Sequence, residues 1–183
     1  MAGLLVLAPF CGEYLVGSIS IRSLPALPFL VPLYGAAALL IRESARRTGR
    51  GWRTMLLLGA AFGLFQAGIV DASLFNRSFQ GMDLDGAQVP LLNFSAVFGP
   101  AFVMNHVMIS IGGPIAVVEA LAPGGEGVPW LGRIGLAITG LIYLGGSALI
   151  GWDCWVQEHF YPSPLQLTST AVVVTGWSGP LSL

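Results

Sequence analysis

Lysine is missing from this 183-residue chain, and its eight basic side chains are all arginine. Charged residues make up only 9% of the sequence, against about a quarter in ordinary soluble domains. With 55% hydrophobic residues and a mean hydropathy of +0.78, that scarcity excludes a globular surface built for water. Cysteine is almost as rare. Cys11 lies in an apolar run and Cys154 beside tryptophans, a placement that gives neither a disulfide framework nor metal-ligand spacing, so both read as packing residues. Histidine occurs only as His106 and His159, and His159 falls beyond the fifth apolar run. No metal site and no cofactor are expected.

What the chain has instead is long apolar runs. A bilayer core about 30 Å thick takes ~20 apolar residues as helix. Five segments meet or approach that length, at about 2–19, 25–41, 54–71, 94–120 and 134–151, and a sixth at about 165–180 is marginal because it carries Gln166 and several hydroxyls. Backbone groups in lipid must be bonded internally, and these runs lack the alternation of barrel strands. The expected fold is all-α, a polytopic transmembrane bundle of five to six spans forming one integral membrane domain over 1–183. The N-terminal run lacks a basic leader and meets Glu13 before any cleavage site, so it reads as a retained first span.

Charge placement predicts orientation. Arg42, Arg46, Arg47, Arg50 and Arg53 crowd the stretch between the second and third runs, and a short loop this basic stays cytoplasmic. The same stretch could be read as a nucleic-acid patch, but its flanking spans make it a topology determinant that meets anionic headgroups. Nucleic acid is not an expected partner; membrane lipids are, together with another membrane protein or a second copy of the chain. Threading the spans from that anchor puts the N-terminus and Arg133 inside and leaves Arg22 and Arg77 outside. Trp52 and Trp130 then fall at the inner interface, and Trp152 and Trp155 at the outer one.

Small residues mark where helices approach: Gly59, Gly63 and Ala67 on the third run, Gly135 and Thr139 on the fifth, and Gly35 to Ala38 on the second. The long fourth run holds Gly99-Pro100 and Gly112-Gly113-Pro114, where kinks or a break beside a cavity are expected. The loop from Ser73 to Pro90 is long enough to cap the outer end.

Ionisable and amide groups inside spans carry a functional expectation, because they are expensive in hydrocarbon. At ~1.5 Å per residue, Gln66 lies roughly 18 Å into the third span, Glu13 stands at a similar height on the first, and His106 is near the middle of the fourth. Glu13, Gln66, Asn105 and His106 are therefore expected to meet as a polar cluster, with Glu13 and His106 as the candidate catalytic or proton-carrying pair. Asp71 and Glu119 are expected at the outer and inner boundaries, each reaching water.

The run Phe102-Val103-Met104-Asn105-His106 fits the FxxxH motif of the CAAX-protease and bacteriocin-processing (Abi-type) intramembrane proteases. More closely, Pro32-Leu33-Tyr34-Gly35, Leu40-Ile41-Arg42-Glu43, Gly49-Arg50-Gly51-Trp52, Gly63-Leu64-Phe65-Gln66-Ala67-Gly68 and Ser73-Leu74-Phe75-Asn76 resemble a group of uncharacterised multi-pass proteins of high-GC, actinobacterial-type bacteria. The resemblance covers about residues 8–135 and implies a location in a bacterial cytoplasmic membrane. The proteases carry paired glutamates that activate water; Gln66-Ala67 stands here in that place, with no arginine at the following position of their motif and no later histidine motif. An amide has no basic proton chemistry, so the resemblance implies a catalytically silent bundle with a polar cavity near His106. Two alternatives stand beside it: a small transporter or transporter subunit using Glu13 and His106, and an accessory membrane subunit held together by its small-residue ridges.

Overall fold

The computed structural model describes residues 1–122 and 127–178 and is mostly helical. Six helical segments run through the described residues: α1 (Ala2–Leu15), α2 (Ile21–Arg47), α3 (Trp52–Val70), α4 (Phe98–Ala120), α5 (Arg133–Glu158) and α6 (Pro164–Ser178). Four of them, α2 to α5, are long and apolar enough to cross a membrane. Helix α1 is apolar but shorter, and α6 has 15 residues, about 22 Å at the helical rise. Residues 179–180 of the expected sixth span, and part of the 121–133 loop, lie outside the described residues.

Boundaries differ from the sequence expectation where single residues decide them. Helix α1 stops at Leu15, short of 19, because Gly17 takes φ +84°, a conformation that ends helices. Helix α2 opens as a tight turn over Ile21–Ala26, its end capped by the Ser20 hydroxyl accepting from the Arg22 amide. It then runs through the arginine stretch to Arg47, so Arg42, Arg46 and Arg47 belong to a helix and not to a loop. Helix α5 reaches Glu158 and stops where His159 turns left-handed at φ 50°. Between α3 and α4 lies the capping segment, which adds a small antiparallel hairpin, β1 (Gln88–Val89) paired with β2 (Phe94–Ser95), to an otherwise helical chain. That hairpin delays α4 to Phe98.

Gln166, which counts against a span in a reading of polarity alone, is spent at the start of α6. Its side-chain oxygen accepts from the Ser163 amide, the Ser163 hydroxyl accepts from the Gln166 amide, and its nitrogen donates to the Leu92 carbonyl. This reciprocal cap satisfies helix-end groups and ties α6 to the hairpin.

The core is formed by Leu4, Leu33, Ala38, Met55, Phe62, Ile111 and Ile115. Helix α3 packs along α4 and α6, while α1 and α5 both lie against α2. Close approach follows the small residues. A Cβ on Gly35 would lie 2.4 Å from the Leu5 carbonyl oxygen of α1, and one on Gly146 would lie 2.6 Å from Pro32. The tight contact of α5 is thus at Gly146, not at the expected Gly135. Gly59 and Gly63 do meet α4, at Val107 and Val103.

Where kinks or a break are expected, α4 runs on without a break. Instead the helix widens to π-type turns over His106–Gly112, just ahead of Pro114. Proline has no N–H for the carbonyl one turn back, and a wider turn re-registers the ladder around that gap. Similar widening occurs at Phe10–Leu15 after Pro9, at Val31–Gly35 around Pro32, and at Gln66–Val70.

Candidate functional site

Each of the four widened turns carries one polar side chain toward the same space: Glu13 from α1, Tyr34 from α2, Gln66 from α3 and His106 from α4. Together with Asn105, Asp71 and Asp153 they line a cavity of about 250 Å³. Its rim is formed by exposed residues of the segments that follow α1 and α3, Ser18, Gln80 and Met82, so it reaches the surface at the end of the bundle opposite the arginines. Helical widening repeatedly accompanies functional sites, because it turns a side chain out of the packing register.

Inside the cavity the Tyr34 hydroxyl donates to Glu13 Oε1. The Tyr34 and His106 rings lie 5.9 Å apart, and Phe62 meets both edge-on at 5.9 and 5.6 Å. His106 is buried, with Nδ1 3.3 Å from the Ser110 hydroxyl one turn on. Gln66 is 2% exposed and donates from Nε2 to Asp71 Oδ2 at 3.2 Å, while Asp71 Oδ1 accepts from the Ser73 amide at 2.9 Å. A carboxylate only accepts, which fixes the orientation of the Gln66 amide. Its oxygen is therefore the atom left buried without a partner. Glu13, Asp71 and Asp153 make no ion pair with a basic side chain among the described residues. No group of three metal-ligating side chains occurs among them either.

The structure thus places Glu13, Gln66, Asn105 and His106 around one space. It adds Asp71, expected only as a boundary residue, and two residues that sequence reasoning passed over. Tyr34 sits in a run where one hydroxyl draws no notice. Asp153 lies beyond the expected end of the fifth span, and only the extra turns of α5 bring it to the rim.

A second polar cluster occupies the arginine end, and it corrects the reading of Glu119. This residue does not reach water: it is 4% exposed and accepts from Arg42 Nε at 2.9 Å, Arg46 Nε at 3.0 Å and Arg46 Nη2 at 2.5 Å. Arg42 itself is fully buried, donates to Glu43 at 2.8 Å and stacks its guanidinium 3.4 Å from the Trp130 ring centre. Trp130 is accordingly half-buried against Arg42. Glu43 also accepts from the Trp130 and Leu131 amides at 2.9–3.1 Å, holding the strand of chain that leads into α5. The signal was present in the four-residue spacing of Arg42 and Arg46, which puts both on one helix face. A separate groove of about 440 Å³, lined by Leu64, Pro100, Met104 and Val173, is apolar and lies on the flank of α3, α4 and α6.

Four helices fit to cross a membrane, with polar side chains turned inward at both ends, define a multi-pass helical membrane protein. The chain belongs to an uncharacterised membrane protein family, whose pattern it matches over residues 4–176. No curated protein and no solved structure matches it.

Proposed function

We propose that the protein is a catalytically silent membrane-embedded receptor for a small polar solute, which enters the cavity between Glu13, Tyr34, Gln66 and His106. The observation that carries this reading is the coincidence of four widened helical turns, each supplying one polar residue to one space. Proline accounts for the widening near Pro9, Pro32 and Pro114, but not for that at Gln66–Val70, nor for the polar residue that each turn brings to the shared space. At about 250 Å³ the cavity holds the liquid volume of roughly eight waters, enough for a small metabolite and too little for a peptide. The amide at Gln66 argues against water activation there, since it can bind but cannot take a proton.

The positive-inside rule supports a cytoplasmic arginine end and N-terminus, hence a cavity mouth on the outer face of a bacterial cytoplasmic membrane. In that setting α1 and α6 complete the bundle as short fifth and sixth spans, and the broad apolar flank of α5 meets lipid or a partner helix. Transport is a second reading, favoured by one observation: the fully buried Arg42 and its carboxylates close the end opposite the mouth, as an outward-open state requires.

Cys154 lines the cavity and supplies the test. In a Cys11→Ser background it is the sole thiol, and a small membrane-impermeant methanethiosulfonate is expected to label it from one side of sealed vesicles. Filling the space with Asn105→Trp should slow that reaction severalfold. Labelling that is equal in both variants, or that occurs only with a lipid-soluble maleimide, refutes the reading. Retention of solute inside proteoliposomes after external washing separates transport from binding.

A further inference from the structure

The chemistry of the lining selects a class of solute, and this step rests on the binding reading above. Glu13, Asp71 and Asp153 bring three carboxylates to one small space, and no arginine lines it among the described residues. Lysine is absent from the whole chain. Among the described residues the acids are paired with no cation, although Arg42, Arg46 and Arg77 elsewhere each hold a carboxylate. The second observation is independent of the acids: Gln66 is 2% exposed and lines the cavity, and its Oε1 has no donor among the described residues. A buried acceptor left open costs about 1–3 kcal/mol relative to one that is bonded. The Tyr34 hydroxyl, a donor that could have served an incoming anion, is already committed to Glu13.

We infer that the cavity binds a small protonated amine, whose N–H groups are received by the Glu13 and Asp71 carboxylates and by Gln66 Oε1. The acids in the lining have no cation beside them among the described residues, and an ammonium group is all donor, with three N–H and no lone pair. A bare metal ion is disfavoured, because no three His, Cys, Asp or Glu side chains are placed to hold one among the described residues. Anions meet three like charges, and a purely apolar solute leaves Gln66 unsatisfied.

The experiment is isothermal titration of the full-length protein in lipid nanodiscs with four probes of similar size: n-butylamine, 1,4-diaminobutane, butyrate and 1-pentanol. The two amines are expected to bind, and the other two are not. Glu13→Gln and Asp71→Asn should each weaken amine affinity by roughly tenfold or more, the size of a lost charge-assisted hydrogen bond. Asp153 is exposed, so Asp153→Asn perturbs folding least and keeps the test informative if the buried variants unfold. Its amine affinity should also fall, with butyrate unaffected. Binding of butyrate or pentanol that is lost in Asn105→Trp overturns the amine inference and leaves the receptor reading standing. Amine binding that is unchanged in Asp153→Asn and in every folded carboxylate variant overturns the inference too. If no probe binds in a manner that depends on the cavity residues, both fall.

Discussion

Replacing Glu119 by alanine removes three hydrogen bonds at once, from Arg42 Nε and from two nitrogens of Arg46. Arg42 has no exposed side-chain surface and Glu119 only 4%, so water cannot take the place of the lost carboxylate without opening the helix ends. Deleting one member of a buried pair costs about 3–5 kcal/mol when the other charge is left alone; Arg42 keeps its bond to Glu43, so the loss expected here is at the lower end, about 3 kcal/mol. For a chain of this length that is a fall in Tm on the order of 10 °C. The assay is thermal unfolding in one detergent, with Arg77→Ala as the internal control. Arg77 pairs with Asp85 where both are about half exposed, at 45 and 59%, and such pairs contribute about 0–1 kcal/mol. Glu119→Gln keeps an acceptor but not the charge, and its loss should lie between the two. If Glu119→Ala falls no further than Arg77→Ala, the cluster is not a buried network and its stabilising role is refuted.

Gly35→Ala places a Cβ 2.4 Å from the Leu5 carbonyl oxygen, so α1 must move off α2; a destabilisation of about 1–3 kcal/mol is expected, read as lowered Tm. Gln66→Leu removes both the unpartnered oxygen and the bond to Asp71, two changes of opposite sign, and should leave stability within about 1 kcal/mol of wild type while amine affinity falls. A clear drop in stability with binding intact would falsify the role given to that oxygen. For topology, single cysteines in a cysteine-free background at the exposed positions Ser44 and Ser78 should react with an impermeant thiol reagent from opposite sides of the membrane, Ser44 from the cytoplasmic one. Labelling of both from the same side sinks the orientation.

The membrane class was legible because hydropathy and arginine placement are properties of composition, which folding does not rearrange. The polar cluster was legible because depth in a span follows from residue count at a fixed helical rise, which puts Glu13, Gln66 and His106 at similar heights. What escaped were features that depend on how helices end and touch. Arg42 and Glu119 are 77 residues apart, and their bond follows from the packing of α2 beside α4, which no local pattern encodes. The length of α5 was missed because charge and tryptophan at residues 152–158 read as an exit from lipid, whereas the helix simply continues out of it. Pro114 predicted a kink or a break; the backbone answered with wider turns, a solution visible only in the ladder itself.

The two polar clusters resolve the same physical problem in opposite ways, and that contrast separates structure from function in this bundle. At the arginine end, Glu43 and Glu119 meet arginines or backbone amides, and Trp130 covers the remaining guanidinium face. A network completed within the protein acts to hold helices together, and nothing further is needed to explain it. At the other end, among the described residues, three carboxylates lack cations and a buried amide oxygen lacks a donor. Two of these groups, Glu13 and Gln66, stand on turns whose hydrogen-bond spacing is widened. The contrast with a fully satisfied counterpart argues that the missing partner comes from outside the chain, and that it brings N–H groups with it.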